Sequence, residues 1–488
     1  MKLYIEILKL LGRKFILREN NGIVIKNFAA KMGVVYIKLA QILATQNYGN
    51  LFTEEDREML KSICDECNPL PFKKIKKILK QEYGELENLF KYIEPEPTGS
   101  ASVSQVHRAL LKSGEEVAIK IKRQDITKTM EQDIEQIRKI VHRFGKFVKF
   151  RNLMGSDHAL DLYLEWIKTE TDFNQEKENI KTYQNFANTV NGKVKGTTRI
   201  KIPKLYEEYC TENIIVMEFI KEKTINHIDL TKENKSRIVK AMNSYIKSSF
   251  WAMFNNEPVI FHGDPHSGNI CIDEENNLYF LDMGLLFALS ENEVHLCLEF
   301  FLTAYFGNVE RLYKLLIRYG KMNEKTKKRF KKDCKRYCEE IKTKELTFYF
   351  IDMMTICLNY QLDPPEFLFR MAKAFLCING ISIFSNNKCL GHELLGEQVI
   401  EFLLKRSLND CTEIIKDSLK LIPDTFENTL NYGVVNTLSK ISCNQTLRQD
   451  LKNSLKNLKE ILMLFKTSIE EEEPEEPFTQ NRKKHLNQ

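Results

Sequence analysis

Glycine, proline and tryptophan are scarce in this sequence of 488 residues, with 20, 12 and 2 copies. So little glycine and proline argues against collagen-like chains, long linkers and all-β folds with many turns, and favours long helices. No run approaches the roughly 18 consecutive apolar residues that a membrane-spanning helix needs. Even the apolar segment from Leu296 to Phe306 contains Glu299. We therefore expect that any association with a membrane is peripheral.

A large excess of one charge sign is also missing, because 73 Lys and Arg residues face 67 Asp and Glu residues, a net charge of +6. No block of like charge before the tail resembles a nucleic-acid-binding arm, so we expect no nucleic-acid partner. Glu6 and Lys9 interrupt the N-terminal apolar run, which is not typical of a secretory signal. We expect a cytoplasmic or other reducing compartment, in which the 12 cysteines stay reduced.

Two features near the N-terminus leave alternatives open. Residues 2–18 have the spacing of a basic amphipathic helix, which either docks on the body of the protein, the alternative we favour, or lies on a membrane surface. Cys64 and Cys67 form one CxxC pair with no second pair at zinc-ribbon spacing. Two positions on one helix turn are therefore favoured over a metal or redox site.

Apolar spacing predicts helices over residues 28–92, followed by a small β-rich unit. Two apolar-rich runs, at 103–112 and 116–122, flank a Ser-Gly turn and predict a β-hairpin. Residues 158–190 have the spacing of one long helix. Beyond this helix, strands are predicted at 199–205 and 214–220, and residues after 231 are mostly helical apart from a polar segment at 262–286.

Asp264, Asn269 and Asp282 stand at the spacings that phosphoryl transfer uses in protein kinases. This chemistry needs a carboxylate that orients the attacking group, oxygen ligands for Mg²⁺ and a cation that holds the phosphates. Kinases supply the oxygen groups as an Asp, an Asn five residues later and a second Asp that opens a D-x-G turn. The apolar runs at 270–272 and 279–281 predict a hairpin that brings Asn269 and Asp282 together.

Lys120 is the candidate cation, because it ends a V-A-I-K segment on the second predicted hairpin strand. A carboxylate must hold it over the phosphates, and Glu170, Asp172 and Glu176 cluster on the helix predicted at 158–190. On one helix Glu170 and Glu176 cannot point the same way, so they need different partners. The alternative for each carboxylate is a solvent-exposed position.

Together these segments resemble the UbiB/AarF family of atypical protein-kinase-like proteins, the ADCK group of eukaryotes. Lys38 to Gln41 (KLAQ) stands where the family has K-x-G-Q, and Gly99 to His107 (GSASVSQVH) stands where it has an alanine-rich phosphate loop. Glu170 to Asn179 contains the E-x-D and E-x-x-N residues. The resemblance covers about residues 28–400. Departures from the family pattern, with the polar catalytic positions intact, occur at Ala40, Gly99, Ser100 and Ser267.

The resemblance implies an α+β, protein-kinase-like bilobal fold that binds ATP and Mg²⁺ between a small β-rich N-lobe and a larger helical C-lobe. The expected units are an N-terminal helical extension at 1–93, the N-lobe at 94–222 and the C-lobe at 223–400. They are followed by further helices at 401–469 and a disordered acidic and polar tail at 470–488.

The resemblance also implies a role for each group of residues. The catalytic group is Asp264, Lys120 and Glu176, and the magnesium ligands are Asn269 and Asp282. The nucleotide-binding group, besides Lys120, is Gly99, Ser100, Ala101 and Ser102 in the loop, and Met217, Glu218 and Phe219 in the hinge that holds adenine. The cleft-covering group is Lys38 and Gln41, which meet Glu170 or Asp172.

The expected function is that of an Mg-ATP-dependent atypical kinase or ATPase, which the resemblance links to lipid or isoprenoid-quinone metabolism. A covered cleft and the lack of an A-P-E segment after Asp282 argue against a peptide substrate. Two alternatives stay open. One is a small-molecule phosphotransferase of the aminoglycoside or choline kinase type, which also uses an H-G-D…N loop, and the other is a nucleotide-binding scaffold without turnover.

Overall fold

The computed structural model describes residues 20–45, 53, 55–56, 69–144, 157–194, 198–255, 257–305, 307–340 and 347–385. The chain divides into two compact units, Met1–Leu395 and Gly396–Gln488, and every described residue lies in the first. The predictions for the helix at 2–18, for the CxxC pair and for the segments at 401–469 and 470–488 therefore fall outside the described residues.

A small antiparallel sheet forms the first lobe. Its strands lie in the order β1 (Phe90–Ile93), β3 (Ser104–Leu111), β4 (Glu116–Lys122) and β6 (Ile214–Glu218), and β2 (Gly99–Ser100) pairs with β3. The predicted hairpin is confirmed, because β3 and β4 pair along their whole length. Gly114 in the connecting turn has a φ of 109°, which favours glycine because other residues meet steric clashes there.

The two faces of this sheet have different surroundings. Helix α3 (Phe72–Tyr83) covers one face in a shared apolar core, to which β4 contributes Val117, Ile119 and Ile121. Lys120 lies on the opposite face, because successive side chains of a strand point to opposite sides. The register pairs Ala118 with Met217, so both of these residues lie on the lysine face.

The N-terminal helices separate into two packing groups. Helices α1 (Asn21–Met32) and α2 (Val34–Thr45) share an apolar cluster with α4 (Ile126–Phe144) and α5 (Asp157–Thr169). Ala40 is buried in this cluster, so its methyl group lies among apolar side chains. Helix α3 packs instead on the outer face of the sheet. The prediction of helices up to residue 92 is wrong at its end, because Phe90–Ile93 form strand β1 and pair with β3.

The prediction of one helix over 158–190 is also wrong, because α5 ends before helix α6 (Phe173–Val190) begins. The hydroxyl of Thr171 donates to the carbonyl of Lys168 at 3.0 Å, which closes the end of α5. The carboxylate of Asp172 accepts a hydrogen bond from the N–H of Gln175 at 3.0 Å and caps the start of α6. The break places Glu170 at the junction of the two helices.

The second lobe is mostly helical. Strands β7 (Val259–His262) and β10 (Leu286–Leu289) pair antiparallel. The predicted hairpin is confirmed as β8 (Ile270–Ile272) and β9 (Leu278–Phe280), beside which lies the short β5 (Ile200–Lys201). Of the strand predicted at 199–205, Ile200 and Lys201 form β5, and Leu205 makes an isolated antiparallel bridge with Met217. The helices are α7 (Lys232–Phe254), α8 (Glu291–Tyr305), α9 (Val309–Leu316), α10 (Glu324–Glu340), α11 (Thr347–Asn359) and α12 (Glu366–Ser385).

Aromatic packing fixes α12 against the central elements of this lobe. The ring of Phe375 on α12 lies 6.4 Å from that of Phe261 on β7 and 6.5 Å from that of Phe250 on α7. Short 3₁₀ turns occur at Leu86–Asn88, Glu207–Tyr209, Ile225–His227 and Ile317–Tyr319. Within the described ranges, no helix has both the length and the apolar character that crossing a membrane requires.

Candidate active site

Two loops that follow buried strands form the centre of the site. Strand β7 leads into Gly263 and Asp264, and the N–H of Gly263 donates to the carbonyl of Leu285 at 2.8 Å. Strand β9 leads into Asp282, and the N–H of the preceding Leu281 donates to the carbonyl of Asn269 at 2.9 Å. The β8–β9 hairpin therefore places Asn269 beside Asp282, as its apolar pattern predicts.

His262 connects these two loops, although the sequence analysis gave it no role. Its Nδ1 accepts a hydrogen bond from the N–H of Asp264 at 3.0 Å, and its Nε2 lies 2.6 Å from the carbonyl oxygen of Asp282. These partners require a neutral ring with the proton on Nε2. Burial lowers the pKa of His262 to about 4, against the opposing effect of the Asp282 carbonyl. The signal in the sequence is the position of this histidine two residues before Asp264.

Lys120, Glu176 and Asp282 form an ion triad between the lobes, in which the lysine and Glu176 are buried and Asp282 is partly exposed. The Nζ atom of Lys120 lies 2.6 and 2.8 Å from the two carboxylate oxygens of Glu176, and 2.9 Å from Oδ2 of Asp282. Burial alone would lower the pKa of Lys120, but the two carboxylates outweigh this effect and raise it. Burial would raise the pKa of Asp282, but Lys120 and the N–H of Gly284 lower it to about 2. The lysine is therefore charged, and Asp282 is ionised at neutral pH.

Helix α6 also holds the backbone after Asp282. The side-chain amide of Asn179 donates to the carbonyl of Met283 at 2.8 Å, and the N–H of Met283 donates to Glu176 at 3.4 Å. The spacing of Glu176 and Asn179, about one helix turn, places both side chains on one face. The asparagine of the E-x-x-N segment, to which the sequence alone assigns no role, therefore holds the backbone after Asp282.

Helix α12 contacts Asp264 through two side chains that the sequence analysis missed. The Nζ atom of Lys373 lies 3.1 Å from Oδ1 of Asp264 and 3.0 Å from the carbonyl oxygen of Gly263. The thiol of Cys377 donates to the same Oδ1 at 3.1 Å. Burial would raise the pKa of Asp264, but Lys373, with smaller effects of His266 and Lys38, holds it well below its usual range. The only signal in the sequence is a lysine within an otherwise apolar stretch of helix.

The predicted cleft-covering residues separate in the structure. Lys38 Nζ lies 2.9 Å from Oε1 of Glu170, and their side chains are 17% and 27% exposed. Asp172 is exposed and caps α6, so of the two predicted partners Glu170 makes this ion pair. Gln41 lies on α2 with Lys38, and the prediction for its side chain falls outside the described residues.

The predicted phosphate loop is short and is held by an arginine. Gly99 and Ser100 form β2, and Arg123 donates to the hydroxyl of Ser100 and to the carbonyl of Ala101, each at 2.9 Å. Ser102 is buried and Ala101 is exposed. This arrangement fixes the loop at the edge of the sheet that carries Lys120.

Gln105 and His107, which follow the loop, lie on the sheet face away from Lys120. Gln105 exchanges two hydrogen bonds with the backbone of Leu70, at 2.8 and 3.2 Å, and also contacts His107 at 2.9 Å. His107 in turn contacts the carbonyl of Glu94 at 2.7 Å. The polar residues of the Q-V-H segment therefore attach the chain before α3 to the sheet.

The predicted hinge has part of its backbone already engaged. The N–H of Glu218 donates to the carbonyl of Lys204 at 2.8 Å, and the N–H of Phe219 donates to that of Glu116 at 3.2 Å. Met217 is buried on the lysine face, whereas the side chain of Glu218 is exposed. An adenine at this hinge would have to use carbonyl groups or the N–H of a later residue.

The donor set at Asn269 and Asp282 fits a magnesium ion. Amide and carboxylate oxygens are the hard ligands that Mg²⁺ prefers, and one or two such groups suffice when phosphates supply the rest. The Asp282 side chain is 38% exposed, so its carboxylate is accessible. In the described part of the chain, no cluster of three or more His, Cys, Asp or Glu side chains suits a metal ion.

Comparisons with known proteins identify the family of this chain. The family model of the ABC1 atypical kinase-like domain matches residues 62–316. "Probable protein kinase UbiB" of Actinobacillus pleuropneumoniae serotype 5b is 24% identical over 488 positions, which cover 93% of this chain and 87% of that protein. "Protein ACTIVITY OF BC1 COMPLEX KINASE 7, chloroplastic" of Arabidopsis thaliana is 25% identical over 59% of this chain, which spans 40% of that protein.

Among solved structures, the Rv3197–erythromycin complex of Mycobacterium tuberculosis aligns with 64% of this chain and 82% of its own, at 19% identity and a TM-score of 0.44. The resemblance to UbiB proteins and the α+β, protein-kinase-like bilobal fold are confirmed by the family match and the observed lobes. Because the family model spans just over half of its residues, the chain belongs to the ABC1 atypical kinase-like family.

Proposed function

We propose that the protein binds Mg-ATP between its lobes and either transfers the γ-phosphate or hydrolyses it. The observation that carries this proposal is that the carboxylates of Glu176 and Asp282 both lie within 2.9 Å of the Lys120 ammonium group, next to the loop of Asp264. Phosphoryl transfer depends on positioning and charge stabilisation, and this arrangement supplies a held cation and two separate carboxylates.

Each group has a distinct role in the proposed reaction. Lys120 would hold the α- and β-phosphates, with Glu176 fixing its position. Asn269 and Asp282 would hold Mg²⁺, which neutralises the phosphate charge. Asp264, kept ionised by its neighbours, would orient or accept the proton of the attacking group. The loop at Gly99–Ser102 and the hinge at Met217–Phe219 would contact the phosphates and the adenine.

The Lys38–Glu170 ion pair supports a restricted acceptor. Burial raises the pKa of Glu170, and the charges of Asp264 and Asp282 add to this effect, so the Lys38–Glu170 pair lies close to both loops of the site. A helix of the N-terminal extension at this place would keep a protein substrate from the γ-phosphate. A lipid or a precursor of an isoprenoid quinone, taken from a membrane surface, is the acceptor class that the family resemblance implies. The same ion pair argues against an aminoglycoside or choline kinase, since that alternative has no need of it.

The magnesium ligands provide the first test. Asp282→Asn should abolish the additional thermal stabilisation that Mg²⁺ gives in the presence of ATP, because it removes a charged ligand. In wild-type protein at 100 times the dissociation constant, binding should contribute about 2.7 kcal/mol to the free energy of unfolding. The measurement is differential scanning fluorimetry with ATP, with and without Mg²⁺, and turnover assays with and without lipid vesicles distinguish an enzyme from a scaffold.

Asp229→Asn is a matched control, because it makes the same change at an exposed position outside the site. It should retain the full magnesium-dependent shift. If Asp282→Asn is stabilised as strongly as wild type, the assignment of the metal ligands is wrong.

A further inference from the structure

Helix α12 contacts one oxygen of the Asp264 carboxylate through two side chains. Lys373 and Cys377 stand one helix turn apart, and both reach Oδ1 of Asp264 at 3.1 Å. The second oxygen of this carboxylate, Oδ2, makes no hydrogen bond within the described part of the chain. Helix α12 therefore holds Oδ1 of Asp264, and Oδ2 can accept a hydrogen bond from an incoming group.

Lys373 is an unusual residue for its surroundings. Its neighbours on α12, Ala372, Ala374 and Phe375, are all buried, and its own side chain is 20% exposed. An ammonium group in such a place is destabilising unless it is paired and hydrogen-bonded. Lys373 has both kinds of partner, in the Asp264 carboxylate and the Gly263 carbonyl. Both partners belong to the loop of the proposed reaction.

Helix α12 lies beyond residue 316, where the match to the family model ends. The aromatic contacts of Phe375 with Phe261 and Phe250 fix this helix against strand β7. The position of Lys373 relative to Asp264 is thus set by packing within the lobe.

Several charged or titratable groups from other elements also face Asp264. They are Lys38 from α2, Glu170 from the junction of α5 and α6, His262 and His266 from the loop, and Cys377 from α12. His262 is neutral at ordinary pH, because its Nδ1 accepts a hydrogen bond. Cys377 carries no charge, since burial and the carboxylate raise its pKa. Lys373 is the cation that contacts the carboxylate directly.

We propose that Lys373 is a positioning residue for phosphoryl transfer, which holds Asp264 ionised and in one orientation so that Oδ2 meets the attacking hydroxyl or water. This inference rests on the proposed function. In the reaction, the acceptor oxygen forms the new bond to the γ-phosphorus, the bond to the β,γ-bridging oxygen breaks, and ADP leaves. The proton of the acceptor passes toward Oδ2, the oxygen that Lys373 and Cys377 leave open.

The test compares Lys373→Met, Lys373→Arg and the control Lys328→Met, which makes the same change at an exposed position of α10. Lys373→Met should lower kcat by roughly 10- to 100-fold, with KM for ATP within about threefold of wild type. Its kcat should also fall on the acid side at a higher pH than in wild type, because burial, which Lys373 no longer opposes, raises the pKa of Asp264. Lys373→Arg should restore most of both properties, and Lys328→Met should change neither.

Measurements of kcat and KM from pH 4 to 9, together with the thermal shift caused by Mg-ATP, separate the possible outcomes. If wild type shows no shift and no turnover, the proposed function is wrong and this inference falls with it. If wild type binds and turns over ATP while Lys373→Met keeps its kcat and pH profile, only the inference is wrong. If Lys373→Met does not fold, Lys373→Gln replaces it with the same expectations, since glutamine lacks the charge but can still donate to Gly263.

Discussion

The buried titratable side chains of the site differ in the protonation state that their surroundings favour. Asp264 is partly buried and has a lysine in direct contact, so it stays ionised. His262 is 1% exposed, and among the described residues no carboxylate group contacts its ring; the two hydrogen-bond partners of the ring are a backbone N–H and a backbone carbonyl. A protonated ring would have to give up the hydrogen bond from Asp264. Charge at this site is therefore stable only where a counter-charge is in contact.

This difference predicts how stability depends on pH. The pKa of His262 falls from 6.5 in the unfolded chain to about 4 in the folded protein. Between these values the unfolded chain binds a proton that the folded protein does not, so acidification favours unfolding. Stability from this group is complete above pH 6.5 and falls by about 3 kcal/mol as the pH drops to 4. Urea denaturation of wild type and His262→Asn across this range measures the effect.

His262→Asn should be less stable than wild type at pH 7, but its free energy of unfolding should change less between pH 6.5 and 4. His227→Asn is the control, because His227 is exposed, and it should keep the wild-type slope. Equal slopes in all three proteins would show that His262 does not titrate as its buried contacts imply.

At the scale of elements, the break between α5 and α6 determines which carboxylates serve the site. Glu170 stands at the end of one helix and Glu176 in the first turn of the next. The break separates their partners, Lys38 on α2 and Lys120 on β4. The sequence predicts different partners for them if they share one helix, and the observed reason for the different partners is the change of helix.

The Lys38–Glu170 pair leads to a prediction about access to the cleft. If this pair holds α2 over the site, Lys38→Ala should keep ATP binding, weaken lipid-coupled turnover and increase self-phosphorylation. One partly exposed ion pair can shift such an equilibrium by roughly 5- to 150-fold. Glu170→Gln should have the same effects, and Lys26→Ala on α1 should have none. ATP affinity, hydrolysis and self-labelling are measured side by side.

Unchanged values of all three in both variants would show that the pair does not control access. Our reason for excluding a peptide acceptor would then be lost. A loss of ATP binding in Lys38→Ala alone would instead place Lys38 among the nucleotide contacts.

For the molecule as a whole, local patterns predict much of the site, and long-range contacts account for the rest. The β3–β4 hairpin, the β8–β9 hairpin and the spacing of Asp264 and Asn269 depend on short segments, which the sequence displays directly. The contact of Lys373 with Asp264 joins residues that are 109 positions apart, and nothing in the local sequence specifies it. Strand β1 was missed because its four residues follow a helical segment and pair with a strand further along the chain.

In the described part of the chain, Lys120 makes the central polar contact between the two lobes at the site. It lies on a strand of the small lobe, and it contacts both Glu176 of α6 and Asp282 of the large lobe. Helix α6 adds the contacts of Glu176 and Asn179 with Met283. Because one helix holds both the lysine and the loop after Asp282, its position should determine the arrangement of the site.

The last prediction follows from this shared position. Lys120 and Glu176 are 8% and 2% exposed, and removing Lys120 leaves a buried carboxylate without its counter-charge, which costs about 3–5 kcal/mol. Removing Glu176 leaves Lys120 with Asp282 alone, so the ammonium group loses the two contacts that fix its position. Lys120→Met and Glu176→Gln should therefore lower ATP turnover to a similar extent, and the double variant should be little worse than either one. A double-mutant cycle on turnover should give a coupling free energy of about 1–3 kcal/mol. The exposed pair Lys181–Glu207 is the control, and its variants should leave turnover unchanged. Fully additive losses at Lys120 and Glu176 would mean that they act independently, and Glu170 would then become the candidate partner of the lysine.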